Sequence, residues 1–371
     1  MLFLTGTRAD YSKLKPLIRE LSNIEMLEPG VFVTGMHMLS AYGSTHLEIE
    51  QVSDWDCRFI NQTESDSPHG IFAKTLSGFG DFVNEENPDL IVVHGDRIEA
   101  FAGALVGAMS NTLVAHIEGG EVSGTVDESY RHAISKLAQI HFVANKDAKA
   151  RLLQLGETES SIFVIGSPEL DLLNSDELPS IQEVKERYQL HFENYSIVIF
   201  HPVTTELGET KNQAALLLDA LIEAGRNYVV IESNNDLGSK EIRTVFEEMG
   251  SLNSFRILPS MRFEFFLVLL QNADAIVGNS SSGVREAPHY GVPAVNLGSR
   301  QRGRTTSSLV VDAGFNRSDI VSAINTAVSL DRKPQRHFGG GDSAKQFGSA
   351  LETSSFWVTP IQKTFNGKRF S

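Results

Sequence analysis

The apolar positions of this chain fall into short continuous runs, separated by stretches with a three-to-four-residue beat. Runs at 89–94 (DLIVVH), 112–116 (TLVAH), 161–165 (SIFVI), 196–200 (SIVIF), 228–232 (YVVIE), 273–277 (ADAIV) and 293–297 (PAVNL) predict strands. A first strand at the N-terminus leads into Gly6. Several runs lack polar alternation, as parallel strands covered on both faces require. Between them, Leu14, Leu17, Ile18 and Leu21 make an i, i+3, i+4, i+7 stripe, with Pro16 placed near the helix's first turn. Ala148, Leu152 and Leu155 form a second stripe, ended by Gly156 as a C-cap. Segment 263–270 is apolar nearly all round, so its helix should be buried between layers. Strand–helix alternation predicts βαβ units and doubly wound, Rossmann-like parallel sheets.

The alternation breaks once. After Gly166-Ser167-Pro168 comes a polar stretch containing Ser175, Asp176 and Glu177, and a new βα series starts near Ser196. A length of 371 residues suits two domains. We therefore expect an N-terminal domain over 1–170 and a C-terminal domain over 171–353. The segment 354–371 carries Phe356 and Trp357 and is expected to pack back on the first domain.

Composition narrows the function. The net charge of −15 argues against a nucleic-acid partner, which needs clustered Lys and Arg, but leaves room for a nucleotide in a local pocket. Cys57 is the only cysteine, so no intrachain disulfide forms, which fits a reducing cytoplasm. No Cys/His spacing resembles a zinc site and HExxH is absent, so no metal or other cofactor is expected. No apolar run reaches the ~20 residues of a membrane span. The start MLFLTG reads as a strand and a turn rather than a signal peptide.

In doubly wound sheets ligands bind beyond the carboxyl ends of the strands, so the candidate chemistry sits just after each strand. After the first strand comes Gly6-Thr7-Arg8-Ala9-Asp10 with Lys13 and Lys15. A glycine turn entering a helix among bases can hold phosphate, or can be a tight turn with a solvated arginine. After DLIVVH comes Gly95-Asp96-Arg97-Ile98-Glu99. Here Asp96 reads either as an N-cap, with Glu99 three residues on, or as a cleft acid beside Arg97. After TLVAH comes Ile117-Glu118-Gly119-Gly120-Glu121. Two glycines would let backbone and ligand approach this carboxylate closely, though Glu118 also reads as a surface loop residue.

Thr125 and Glu128 then fit a capping box, which leaves Asp127 in the first helical turn and Arg131 four residues on. That pair is either an ordinary ion pair or a means of keeping Asp127 ionised. In the second half His201 follows SIVIF at a strand end, placed for phosphate contact or proton work. The run Gly278-Asn279-Ser280-Ser281-Ser282-Gly283-Val284-Arg285-Glu286 follows a strand and opens a helix. Its amides, hydroxyls and helix end could bind a diphosphate without metal, and Glu286 could accept from ribose hydroxyls. The alternative is a serine-capped helix in a small-residue loop.

GTRAD…K…K, HGDR, HIEGGE…GTVDE…RH, the strand-end HP and GNSSSGVREAP…GVPAVNLGSRQ together resemble the hydrolysing UDP-N-acetylglucosamine 2-epimerases of bacterial sialic-acid biosynthesis. The resemblance runs from Thr5 to about Arg304. It implies a GT-B-like fold, with the active site in an interdomain cleft, UDP held mainly by the second domain and the sugar facing the first. By motif match Asp96, Glu118 and Asp127 fall on catalytic carboxylates. His201, Ser280, Ser281, Gly283 and Glu286 fall on nucleotide-binding positions. Arg8, Lys13, Arg97 and Arg300 fall on positions that contact nucleotide or phosphate. A branch acting on UDP-diacetylbacillosamine tends to carry histidine at the position of Glu118, so HIEGGE leans toward UDP-GlcNAc. The resemblance also implies a homodimer or homotetramer. Other readings are a non-hydrolysing epimerase, a GT-B glycosyltransferase and a silent nucleotide-sugar sensor.

Overall fold

The computed structural model describes residues 1–371 apart from 41–42, 50, 64–65, 124–126, 175–177, 234–237, 248–251, 365 and 367–371, and apart from the side chains of 174 and 204. The chain divides into two units. Unit 1 comprises Met1–Glu121, Val126–Asn174 and Gly339–Ser371, and unit 2 comprises Val122–Thr125 and Ser175–Phe338.

Unit 1 holds β1 (Leu2–Thr5), β2 (Gly30–Val33), β3 (Cys57–Arg58), β4 (Leu90–His94), β5 (Leu113–Ile117), β6 (Ile140–Val143) and β7 (Ile162–Val164). They pair in the order β3-β2-β1-β4-β5-β6-β7, every pair parallel. Its helices before the crossover are α1 (Arg8–Leu21), α2 (Pro68–Glu86), α3 (Ile98–Met109), α4 (Asp127–Leu137) and α5 (Lys146–Gln154). Unit 2 holds α6 (Ile181–Tyr188), β8 (Ser196–Ile199), α7 (Thr210–Ala224), β9 (Tyr228–Ile231), α8 (Ser239–Glu247), β10 (Phe255–Leu258), α9 (Phe263–Gln271), β11 (Ile276–Gly278), α10 (Glu286–His289), β12 (Ala294–Leu297), β13 (Val310–Ala313) and α11 (Arg317–Val328). Its sheet runs β10-β9-β8-β11-β12-β13, again parallel. The chain then re-enters unit 1 with α12 (Ser343–Leu351) and α13 (Ser354–Trp357).

Strand side chains alternate faces, and the cores record it. In unit 1, Phe3, Val31, Val92 and Phe142 meet Leu14, Leu17 and Ile18 of α1 and Phe347 of α12. Their neighbours Leu4, Phe32, Ile91 and Val114 face Phe79 of α2, Ala104 of α3 and Ile134 of α4. In unit 2, Val198, Val230 and Val277 pack on Leu217, Phe246 and Ile324 of α7, α8 and α11. In α9 the burial predicted for the whole segment holds only from Phe266 to Leu270.

Two features differ from the sequence reading. Helix α1 starts at Arg8, capped by Thr7, so Pro16 lies mid-helix rather than in the first turn. The second domain was drawn to 353, yet unit 1 resumes at Gly339. The reason is local: Ser343 and Ala344 N–H groups donate to Asp171 at 2.8 and 2.6 Å, fixing the start of α12, and Phe347 enters the first core. Within the tail, Phe356 is buried against Phe142, and Lys363 Nζ donates to Ser135 O, Ala138 O and Glu157. Glu157, gathered with His141, Lys136 and Lys363, is held down at about 2; burial opposes this and the three hydrogen bonds outweigh it.

Candidate active site

The carboxyl end of the unit 1 sheet carries the first group. At β1, Asp10 belongs to the fold: it accepts from Gly6 N–H at 3.0 Å and Thr7 N–H at 3.1 Å, closing a capping box at the start of α1. Burial alone would raise its carboxyl. His37, Thr5 and the Gly6 amide outweigh that and keep it below the usual range. Arg8 is half exposed and meets Glu48 at 3.0 Å.

At β4 the capping reading of Asp96 fails. The N-cap position of α3 is Arg97, without a side-chain cap. Asp96 instead accepts from Arg131 Nη2 of α4. The expected Asp127–Arg131 pair is therefore replaced, for the arginine, by a tie to β4. Two more contacts bind the same turn to α4: His116 Nε2 donates to Gly95 O at 2.7 Å, and its Nδ1 lies 3.0 Å from Ser135 Oγ. Burial pushes His116 down to about 3, so it stays neutral. Arg97 points its Nε toward buried Glu99 at 3.4 Å and is otherwise half exposed. Thr125, the expected cap of α4, lies outside the described residues; Asp127 opens the described helix.

At β5, Glu118 has a left-handed backbone, φ 64°, which costs a non-glycine residue about 1–2 kcal/mol. Its side chain is buried. Ser167 Oγ donates to Oε1 at 2.7 Å, Lys13 Nζ lies 3.2 Å from Oε2, and His94 Nε2 lies 3.2 Å from Oε2 without hydrogen-bond alignment. Lys13 also meets Glu169 at 2.5 Å. The adjacent glycines answer to packing rather than to ligand approach. A Cβ at Gly119 would lie 2.9 Å from both His116 Nδ1 and Ser135 Oγ, and one at Gly120 would lie 2.3 Å from Ala148 O.

Unit 2 carries the second group. Asn279, fully buried, clamps the backbone of His201: its Oδ1 accepts from His201 N–H at 2.7 Å and its Nδ2 donates to His201 O at 2.8 Å. Arg300 Nη1 and Gln301 Nε2 both donate to Asn279 O. His201 is partly exposed by area, yet its surroundings, burial first and then Arg300, push it down to about 3. Ser280 caps a 3-10 turn over Ser281–Gly283. The helix expected after it is only the four-residue α10, opened by buried Glu286. Any anion here would meet amides and hydroxyls, since one turn has little macrodipole.

Sequence reasoning passed over Asn279, Ser167, Glu169 and His94. Ser167 and Glu169 also follow a strand, β7, at the end of the first predicted domain, where no candidate was sought.

Two parallel Rossmann-like sheets, each with polar side chains gathered beyond its strand ends, define a GT-B-like α/β protein. The chain belongs to the UDP-N-acetylglucosamine 2-epimerase family, whose profile matches residues 19–352. It is 44% identical over 370 residues, 98% of each chain, to UDP-N-acetylglucosamine 2-epimerase of Neisseria meningitidis serogroup B. It is 33% identical over 95% of each chain to the hydrolysing UDP-N,N'-diacetylbacillosamine 2-epimerase of Legionella pneumophila. In fold it resembles the Neisseria meningitidis UDP-GlcNAc 2-epimerase crystallised with UDP-GlcNAc, with a TM-score of 0.81 at 21% identity, covering 94% of this chain and 98% of that one.

Proposed function

We propose that this chain hydrolyses UDP-N-acetylglucosamine with inversion at C2, giving N-acetylmannosamine and UDP, and that the product serves sialic-acid synthesis. The observation that carries this reading is a pair of strand-end carboxylates, each held by a base: Asp96 by Arg131, Glu118 by Lys13. The resemblance to the meningococcal epimerase supports the substrate.

The C2 hydrogen of the sugar is not next to a carbonyl, so direct removal as a carbanion is unfavourable. In the proposed course the C1–O bond to UDP breaks and its electron pair leaves with UDP. Positive charge at C1 makes the C2 proton acidic, and a carboxylate takes it, giving 2-acetamidoglucal. Water then adds its oxygen to C1 while a proton reaches the opposite face of C2. Asp96, Glu118 and Asp127 supply proton transfer, with Glu118 acting at C2. His201, Ser280, Ser281, Gly283, Glu286 and Arg300 bind UDP, and Arg8 and Arg97 add positive charge for the leaving diphosphate.

A second substrate, UDP-N,N'-diacetylbacillosamine, is favoured by the Legionella relative and would follow the same steps. Proton NMR in D₂O tests both. Free N-acetylmannosamine deuterated at C2, with UDP, supports the first reading. UDP-N-acetylmannosamine moves the protein to the non-hydrolysing class. Turnover of the bacillosamine sugar alone moves it to the second substrate.

A further inference from the structure

Lys13 was expected at phosphate, but its ammonium is taken up by two carboxylates. It lies 2.5 Å from Glu169 Oε2 and 3.2 Å from Glu118 Oε2. Both carboxylates are almost wholly buried, and the lysine side chain is only 20% exposed. The three residues come from distant stretches: α1, the turn after β5 and the 3-10 segment Pro168–Asn174 after β7. A surface ion pair needs no such convergence.

Two buried carboxylates on one ammonium cannot be equal. Neighbouring like charges disfavour ionisation of one of them, and a cation favours it. The shorter contact ties Lys13 to Glu169, and what remains of its charge faces Glu118. Ser167 fixes the other oxygen of Glu118 from the same stretch. The titratable groups facing Glu118 among the described contacts are Lys13 from α1, His94 from β4 and, through Lys13, Glu169.

We propose that Lys13 and Glu169 act as a positioning pair that sets the charge state of Glu118, so that Glu118 enters the proton-transfer step as a carboxylate. Lys13 supplies the charge, and Glu169 both anchors the lysine and competes for it. This rests on the functional reading above only for the use of Glu118. The arrangement itself is readable without turnover.

The design has a signature that packing alone lacks: removing the two partners moves Glu118 in opposite directions. Full-length protein labelled with ¹³C at the glutamate carboxyls is titrated by NMR, and the Glu118 signal is assigned by its loss in Glu118→Gln. In Glu169→Gln, which keeps shape, Lys13 no longer shares its charge with Glu169 and the midpoint falls by about one pH unit. In Lys13→Met the midpoint rises by about two units. Lys13→Arg, which keeps the cation, stays near wild type and covers the case in which Lys13→Met does not fold. The acidic limb of kcat against pH moves with each midpoint, while KM for UDP-GlcNAc changes less than about threefold.

Midpoints that stay put, or that move the same way in Glu169→Gln and Lys13→Met, overturn the proposal. A tenfold rise in KM with an unmoved midpoint also overturns it and returns Lys13 to phosphate binding. Opposed midpoints in a protein that turns over no UDP-GlcNAc retain the positioning pair and refute the substrate instead.

Discussion

His116→Gln isolates one buried histidine whose neutrality supports the Gly95–Asp96 turn. The wild-type ring is completely buried, with Nε2–H on Gly95 O at 2.7 Å and Nδ1 toward Ser135. Burial holds it at about 3, against an ordinary value of 6.5. As pH falls below 6.5 the unfolded chain takes up the proton first. Stability from this group is therefore complete above 6.5 and is lost progressively as pH falls toward 3. At pH 5 the loss is about 1.5 units times 1.36, or about 2 kcal/mol. Glutamine can still donate to Gly95 O, but it does not titrate. It should cost about 1–2 kcal/mol at pH 7.5, from lost packing and the Ser135 bond. The deficit relative to wild type should then shrink by about 2 kcal/mol at pH 5. Both tryptophans, Trp55 and Trp357, belong to unit 1, so their fluorescence during urea unfolding reports this unit alone. A deficit that is equal at the two pH values, or larger at pH 5, refutes the reasoning.

Arg131→Met strands Asp96 and should destabilise unit 1 by about 3 kcal/mol, the low end for breaking a buried pair because Asp96 is partly exposed; unchanged urea midpoints would remove the clamp from the account. Gly278→Ala and Gly283→Ala form a contrasting pair. At Gly278, φ 138°, a Cβ would lie 1.9 Å from Ile199 O, so unfolding should be eased by about 3 kcal/mol or more. At Gly283 a Cβ makes ordinary contact with Ala294 at 3.5 Å and Ile276 at 3.8 Å, so stability should change by less than about 0.5 kcal/mol. Calorimetry should show Gly283→Ala weakening UDP about tenfold if the loop wraps the diphosphate, and an unchanged Kd takes the loop out of the site. Asp96→Asn, Glu118→Gln and Asp127→Asn should each lower kcat about 10²-fold, and normal turnover in any one removes it from proton transfer.

Strands β4, β5 and β8 were legible because they are nearly uninterrupted apolar runs, and they lie within a residue or so of their predicted bounds. Strands β2, β3, β6, β10 and β13 were not predicted. β3 spans only two residues, His141 and Arg256 interrupt the apolar runs of β6 and β10, β2 is only four residues long, and β13 is part-exposed along its length. The strand-end rule singled out Asp96, Glu118 and His201, but local pattern did not reveal the partners that hold them. An aspartate three residues before a glutamate reads as a cap unless one knows that Arg131 lies across the sheet end. The partners of Glu118 are separated by up to 105 positions, and no spacing rule reaches that far. A left-handed Glu118 is likewise invisible in sequence, since its neighbours Gly119 and Gly120 read as the flexible positions.

The return of the chain to unit 1 bears on how the protein is made. Phe347 and Phe356 belong to the first core, and Lys363 closes the C-terminal end of α4, yet these residues are translated after unit 2. Unit 2 is continuous from Ser175 to Phe338 apart from its short piece at Val122–Thr125, so its sheet can assemble while the chain is still emerging. Unit 1, although its strands are translated before unit 2, waits with part of one sheet face, the part that Phe347 and Phe356 cover, open until residues beyond Gly339 arrive. Ribosome stalling before Gly339 should leave a nascent chain that binds chaperones through that face, with its second half already folded.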